Sequence, residues 1–147
     1  MPIATREAEI VWRGTLASGT GTVSSGSGAL GALPVTWAAR TERPDGKTSP
    51  EELIAAAHAS CFAMALSLML GENHTPPGRI VVSAACTLDE VDGAPKVTSS
   101  ELRIRGRIDG IEPADFEEQI QRASKLCPVS NALRGNVEIT VHGELES

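Results

Sequence analysis

The stretch Ser49–Leu70, SPEELIAAAHASCFAMALSLML, decides the fold. Ser49 suits an N-cap, Pro50 suits the first helical position where its missing N–H is no loss, and Glu52 falls three residues after the cap, as in a capping box. Beyond Leu53 only His58, Ser60 and Ser67 interrupt an apolar run. The spacing therefore predicts one long helix with most of its circumference buried in protein. Cys61 lies in its middle, where a reactive group would be sheltered from water.

At 147 residues the chain fits a single domain, residues 1–147, and a fold of this size buries roughly 70% of the surface its unfolded chain exposes. Thirteen Lys and Arg against 19 Asp and Glu give a net charge of −6 without a basic cluster, which argues against a nucleic-acid partner or an anionic membrane surface. Trp12, Trp37, Phe62 and Phe116 are the whole aromatic complement, too little for a base-stacking platform. Three cysteines do not make a disulfide scaffold, and the start MPIATREAEIVW lacks a signal-peptide pattern, so a cytoplasmic location is expected. The Leu53–Leu70 run approaches the length of a membrane span, but its alanines, His58 and the lack of flanking basic or aromatic anchors favour a buried central helix with no membrane partner.

Before that helix, Glu7–Gly14 and the region near Thr20–Ser24 read as strands joined by Gly/Ser-rich turns. Alternation over Val35, Trp37 and Ala39 predicts a third strand, which Arg40 closes on the face opposite Trp37. After it, Ile80–Val91 places Ile80, Val82, Ala84, Cys86 and Leu88 on one face, Asp92-Gly93 marks a turn, and Glu101–Ile108 alternates Leu102, Ile104 and Ile108 against charged residues. A second helix opens at Pro113, with Phe116, Ile120 and Ala123 in one stripe, and breaks at Cys127 because Pro128 disfavours α conformation in the residue before it. Pro128 then begins a short helix through Leu133, and Asn136–His142 gives a last strand with Val137, Ile139 and Val141 inward. The fold class is α+β.

Cys61 and Cys127 are the candidate reactive pair. Cys127, just ahead of Pro128, lies at a helix N-terminus, where unpaired N–H groups favour a thiolate. Cys61 sits beyond reach of its helix dipole, and a thiol of pKa ~8.5 is only a few per cent ionised at neutral pH, so a cation must help. Arg40 is the best-placed cation, since its fork can engage a thiolate or a peroxide oxygen; an ordinary strand-end arginine is the bland alternative. Glu51 could hold that guanidinium, or be only a helix-start carboxylate favoured by the dipole. Ten residues separate Glu51 from Cys61, roughly 15 Å of helix rise, which excludes direct same-chain contact. If they share a site, an arginine must bridge them or a second subunit must supply Glu51 and Arg40.

His58 lies one turn before Cys61 on the same helical face, as a base for it, a zinc ligand beside Cys61 and Cys127, or a packed helix histidine. Zinc is disfavoured by the lack of a fourth ligand and of a close-spaced cysteine pair, and no metal or cofactor is expected. Cys86 reads as core. Gly46-Lys47-Thr48 resembles the tail of a phosphate loop, but Thr41 stands where that loop needs glycine.

The stretch Pro50–Glu72, with Cys127-Pro-Val-Ser-Asn-Ala-Leu133, the Trp12-to-Gly14 strand and the arginine before the helix loop, resembles the OsmC branch of the OsmC/Ohr thiol peroxidases, essentially end to end. The resemblance implies an OsmC-like fold in which antiparallel strands wrap two central helices within an intertwined homodimer. It also implies hydroperoxide reduction, with Cys61 as peroxidatic cysteine, Cys127 as resolving cysteine, and Arg40 and Glu51 as the pair that activates the thiolate. His58, where the Ohr branch has Tyr, places the chain with OsmC; Ser49 departs from a common Asn, and either residue can cap. The implied partners are a hydroperoxide substrate and an external dithiol, either a lipoyl-bearing protein or a thioredoxin-like one. The alternatives are a redox sensor and a small-molecule binding module whose cysteines are structural.

Overall fold

The structure, a computed structural model, describes residues 1–146. They divide into two compact units, 1–53 and from 54 onward. The first unit holds strands β1 (Ala8–Arg13), β2 (Thr20–Ser25) and β3 (Leu33–Val35), helix α1 (Trp37–Thr41) and the start of helix α2 (Pro50–Glu72). Its three strands form an antiparallel sheet in the order β1-β2-β3. All six residues of β1 are exposed, Ile10 and Trp12 included, which is unusual for an apolar strand.

The third strand is shorter than its alternation suggests. Pairing of β3 with β2 ends at Val35 opposite Gly21, and Thr36 then turns the chain into α1 by accepting a hydrogen bond from Ala39 N at 3.0 Å. A Thr cap followed by Trp-Ala-Ala-Arg satisfies one turn of helix as readily as it satisfies a strand period. Arg40 is consequently in the last turn of α1. Its guanidinium carbon lies 5.9 Å from the Trp37 ring centroid, on the same side as Trp37 and not opposite it.

Helix α2 begins as its sequence predicts: Ser49 Oγ accepts from Glu52 N at 3.2 Å, with Pro50 as the first helical residue. Only half of the capping box forms. The Glu52 carboxylate accepts a 2.8 Å bond from Thr48 Oγ1, and Thr48 N donates to Pro34 O, so the residues ahead of the helix are tied to β3.

The second unit holds the rest of α2, a hairpin of β4 (Arg79–Val91) and β5 (Ala94–Arg107), helices α3 (Pro113–Leu126) and α4 (Pro128–Leu133), and strand β6 (Glu138–Leu145). The β4–β5 turn has Asp92 and Gly93 both at positive φ, as a two-residue hairpin turn requires. Sheet order is β4-β5-β6, and β6 runs parallel to β5, a departure from the all-antiparallel expectation. The reason is the connection: α3 and α4 form a crossover, which returns the chain in the direction of β5.

The core of this unit joins Phe62, Ala65, Leu66, Met69 and Leu70 of α2 to Leu102 and Ile104 of β5 and to Phe116, Ile120 and Ala123 of α3. These α2 positions recur every three to four residues, so one stripe is buried and makes α2 the core helix of the unit. The expectation that most of its circumference is buried does not hold within one chain. Met64 is 74% and Leu68 51% exposed, and Ala56, Ala57 and Ser60 also face outward. The sheet and helices α3 and α4 cover one face; among the described residues nothing covers the opposite apolar face. By length and composition alone α2 could cross a membrane.

Candidate active site

Cys61 and Cys127 come together. Cys61, half-buried on α2, is in hydrogen-bonding contact with the Cys127 thiol and receives the backbone N–H of Val129. Cys127 is fully buried at the junction of α3 and α4, with φ −58° and ψ 115°, outside the helical region as the following Pro128 requires. It caps α4: its Sγ accepts from Ser130 N at 3.5 Å. The break that sequence places at Cys127-Pro128 thus aims the Cys127 thiol and the Val129 N–H of α4 at α2. No disulfide joins the two cysteines in this structure.

Electrostatics at Cys61 oppose ionisation. Burial pushes its pKa up, the Val129 N–H draws it down, and the hydrogen bond and charge of Cys127 push it up again. The net direction is upward, so these local groups do not by themselves make Cys61 a thiolate at neutral pH.

In the first unit Arg40 and Glu51 form a two-pronged ion pair: Nε to Oε1 and Nη2 to Oε2, both 2.9 Å. The Glu51 side chain is 9% exposed and that of Arg40 30%. Such a fork fixes the guanidinium plane and leaves Nη1 unused by the carboxylate. A buried carboxylate here is satisfied by its partner, so Glu51 is more than a dipole-stabilised helix-start residue.

His58 is fully buried, with Nδ1 2.7 Å from Ser100 Oγ and Nε2 2.8 Å from Ser130 Oγ. Both ring nitrogens are therefore occupied, and the imidazole is neither a base on Cys61 nor a third ligand beside the two thiols. Burial lowers its pKa. Ser100 and Ser130, both without solvent exposure, are partners that the sequence reading passed over. One signal was available: Ser100 shares the β5 face of Leu102 and Ile104, and a hydroxyl on a buried face demands a polar partner. Cys86 is half-buried on β4, on the face of Ile80, Val82 and Ala84, so it is less enclosed than its reading as core implies.

Residues 43–142 match the model of the OsmC-like protein family. The chain belongs to the OsmC family. Among its relatives, it is 44% identical to peroxiredoxin OsmC of Escherichia coli K12 over 136 residues, which is 92% of this chain and 93% of that protein. The organic hydroperoxide resistance protein of Xanthomonas axonopodis pv. citri is 30% identical over 95 residues, 64% of this chain and 65% of that one. The OsmC-family architecture is equally evident in solved structures. An organic hydroperoxide resistance protein from Elizabethkingia anophelis superimposes with a TM-score of 0.80 at 25% identity, covering 99% of both chains. OhrB of Bacillus subtilis gives 0.74 at 26% identity, over 94% of this chain and 98% of that one.

Proposed function

We propose that this OsmC-family chain is a thiol-dependent peroxidase that reduces organic hydroperoxides and hydrogen peroxide. The observation that carries the reading is the contact of Cys61 with Cys127, beneath the N–H of Val129. A Cys61 thiolate attacks one oxygen of the O–O bond; sulfur gains that oxygen as a sulfenic acid, and the other oxygen leaves as alkoxide or hydroxide and takes a proton. Cys127 then attacks the sulfenic sulfur, forming a disulfide and releasing water. An external dithiol restores both thiols by exchange and supplies the two electrons that the peroxide received. A lipoyl-bearing protein would suit that role. The names of the relatives, peroxiredoxin and organic hydroperoxide resistance protein, support the same chemistry.

Arg40 is the cation that offsets the upward push on Cys61 and stabilises charge on the leaving oxygen, with Glu51 holding its plane. Ten residues of helix separate Glu51 from Cys61, so the pair serves the site through the reach of Arg40 or from a second subunit. A homodimer answers that requirement, and it would also cover the apolar faces of α2 and β1 that this chain leaves open. In this reading the whole chain works as one OsmC-like domain, supported by a relative that matches over 92% of this chain and by a family match that runs from 43 to 142, across the boundary between the two units. Three cysteines in 147 residues are too few for a disulfide scaffold, which suits a reducing cytoplasm.

The test is Cys61→Ser. With excess hydroperoxide and a dithiol, the wild-type protein turns over continuously and the variant loses hydroperoxide consumption. Activity surviving in the variant would defeat the peroxidase reading, and wild-type consumption halting after one equivalent would mark a sensor.

A further inference from the structure

Behind the thiols lies a line of three fully buried polar side chains, Ser100 on β5, His58 on α2 and Ser130 on α4, joined at 2.7 and 2.8 Å. Peroxide chemistry as described does not use them, yet they touch the machinery at one point. Ser130 belongs to the first turn of α4, the turn that presents Cys127 Sγ and the Val129 N–H to Cys61. This turn is therefore docked on α2 at two places one helical turn apart: Ser130 on His58, and Cys127 with Val129 on Cys61. Cys127 and Val129 also pack in the core, and α4 is tied back to α3 through Asn131 Nδ2 on Lys125 O and Arg134 Nη2 on Ser124 O.

We propose that His58 is a positioning residue for the second half of the reaction: by holding Ser130 it keeps the first turn of α4, and the Cys127 thiol with it, docked on α2 while Cys61 is a sulfenic acid. The inference rests on the roles proposed above for Cys61 and Cys127. Oxidation changes the Cys61 sulfur and with it the thiol-side dock, whereas the imidazole-to-hydroxyl dock is untouched by the reaction. Disulfide closure needs the two Cα atoms within roughly 4.4–6.8 Å and a defined dihedral, so a small drift of α4 removes Cys127 from attack. No water replaces the lost bond at a fully buried position at low cost, so the anchor cannot be exchanged for solvent. In the step it protects, the Cys127 sulfur bonds to the Cys61 sulfur, the S–O bond breaks, and oxygen leaves as water with the thiol proton.

Ser100 supplies the control. It bonds the same imidazole and is buried as deeply, but it lies on β5 and not on α4. A purely structural role for the network predicts similar losses at either hydroxyl; a positioning role predicts a loss specific to Ser130. Reduced wild-type, Ser130→Ala, His58→Gln, Ser100→Ala and Cys127→Ser proteins are each mixed with one equivalent of cumene hydroperoxide and quenched at intervals with dimedone. Mass spectrometry then follows Cys61 sulfenic acid and the disulfide, and thermal unfolding confirms that each variant is folded.

Expected are near wild-type sulfenic acid formation in Ser130→Ala and His58→Gln, disulfide closure slowed by about ten- to a hundredfold, and near wild-type closure in Ser100→Ala. The inference is overturned if Ser100→Ala closes as slowly as Ser130→Ala, or if Ser130→Ala closes at the wild-type rate. Cys127→Ser tests the underlying reading separately: it should hold its sulfenic acid. Loss of that sulfenic acid at the wild-type rate would remove Cys127 as the resolving thiol, and the inference with it, whatever the serine variants do.

Discussion

His58 shows how one residue is read differently by sequence and by structure. Its place one turn before Cys61 invites a catalytic or ligand role, but the hydroxyls of Ser100 and Ser130 occupy both nitrogens; alternation puts Ser100 on a buried face without naming a partner 42 residues away, and nothing local signals Ser130, 72 residues away. Cys61, Cys127, Arg40 and Glu51 stood out in the sequence because each is a reactive or charged residue at a position where the bland explanation is incomplete, and the structure brings the two cysteines together. The pairing of Arg40 with Glu51 shows as a fork at 2.9 Å. Burial also gives His58 a pH signature. Its pKa is lowered in the folded chain, so below about pH 6.5 the unfolded chain takes up the proton first and stability falls with pH until the folded pKa is reached. Denaturant midpoints of the wild type should therefore drop between about pH 7.5 and pH 5.5. The drop should shrink in His58→Gln, and an unchanged drop in that variant would assign the loss to other groups.

At the level of elements, the long segments were the legible ones. The cap and proline of α2, the alternation of β4 and β5 and the Cys127-Pro128 break each carry a local physical cause, and the structure places them within a few residues of the reading. The failures were short or depended on distant partners. Trp37–Thr41 is five residues long, too few to distinguish a strand period from a helical turn, and the end of pairing at Gly21 decides it. The parallel sense of β6 follows from a crossover that no residue of β6 announces. Packing of α3 on the sheet supplies a prediction at this scale. A Cβ on Gly143 of β6 would run into Ile120 Cδ1 and stand 3.4 Å from the Phe116 ring, in a core where Ile120 has no exposed surface. Gly143→Ala should lower unfolding free energy by about 1–3 kcal/mol, measured by chemical denaturation.

For the whole molecule, the apolar residues of α2 are the main lesson. A helix that is apolar around its circumference reads as buried on all sides, and in one chain it is buried on one side only, with Met64 and Leu68 outward. Sequence reports how much apolar surface must be covered, not which chain covers it. If a second copy does so, Leu68→Glu should convert a dimer to a monomer by light scattering and abolish peroxidase turnover. A fully active monomer would refute the shared-site reading of Arg40 and Glu51. The contact between Cys61 and Cys127 remains the centre of the account, and it is tested most directly by titrating the fully reduced protein with hydroperoxide and mapping the peptides. One equivalent of peroxide per chain should yield a single Cys61–Cys127 disulfide, with Cys86 still a thiol. A bridge through Cys86, or no disulfide after one equivalent, would contradict it.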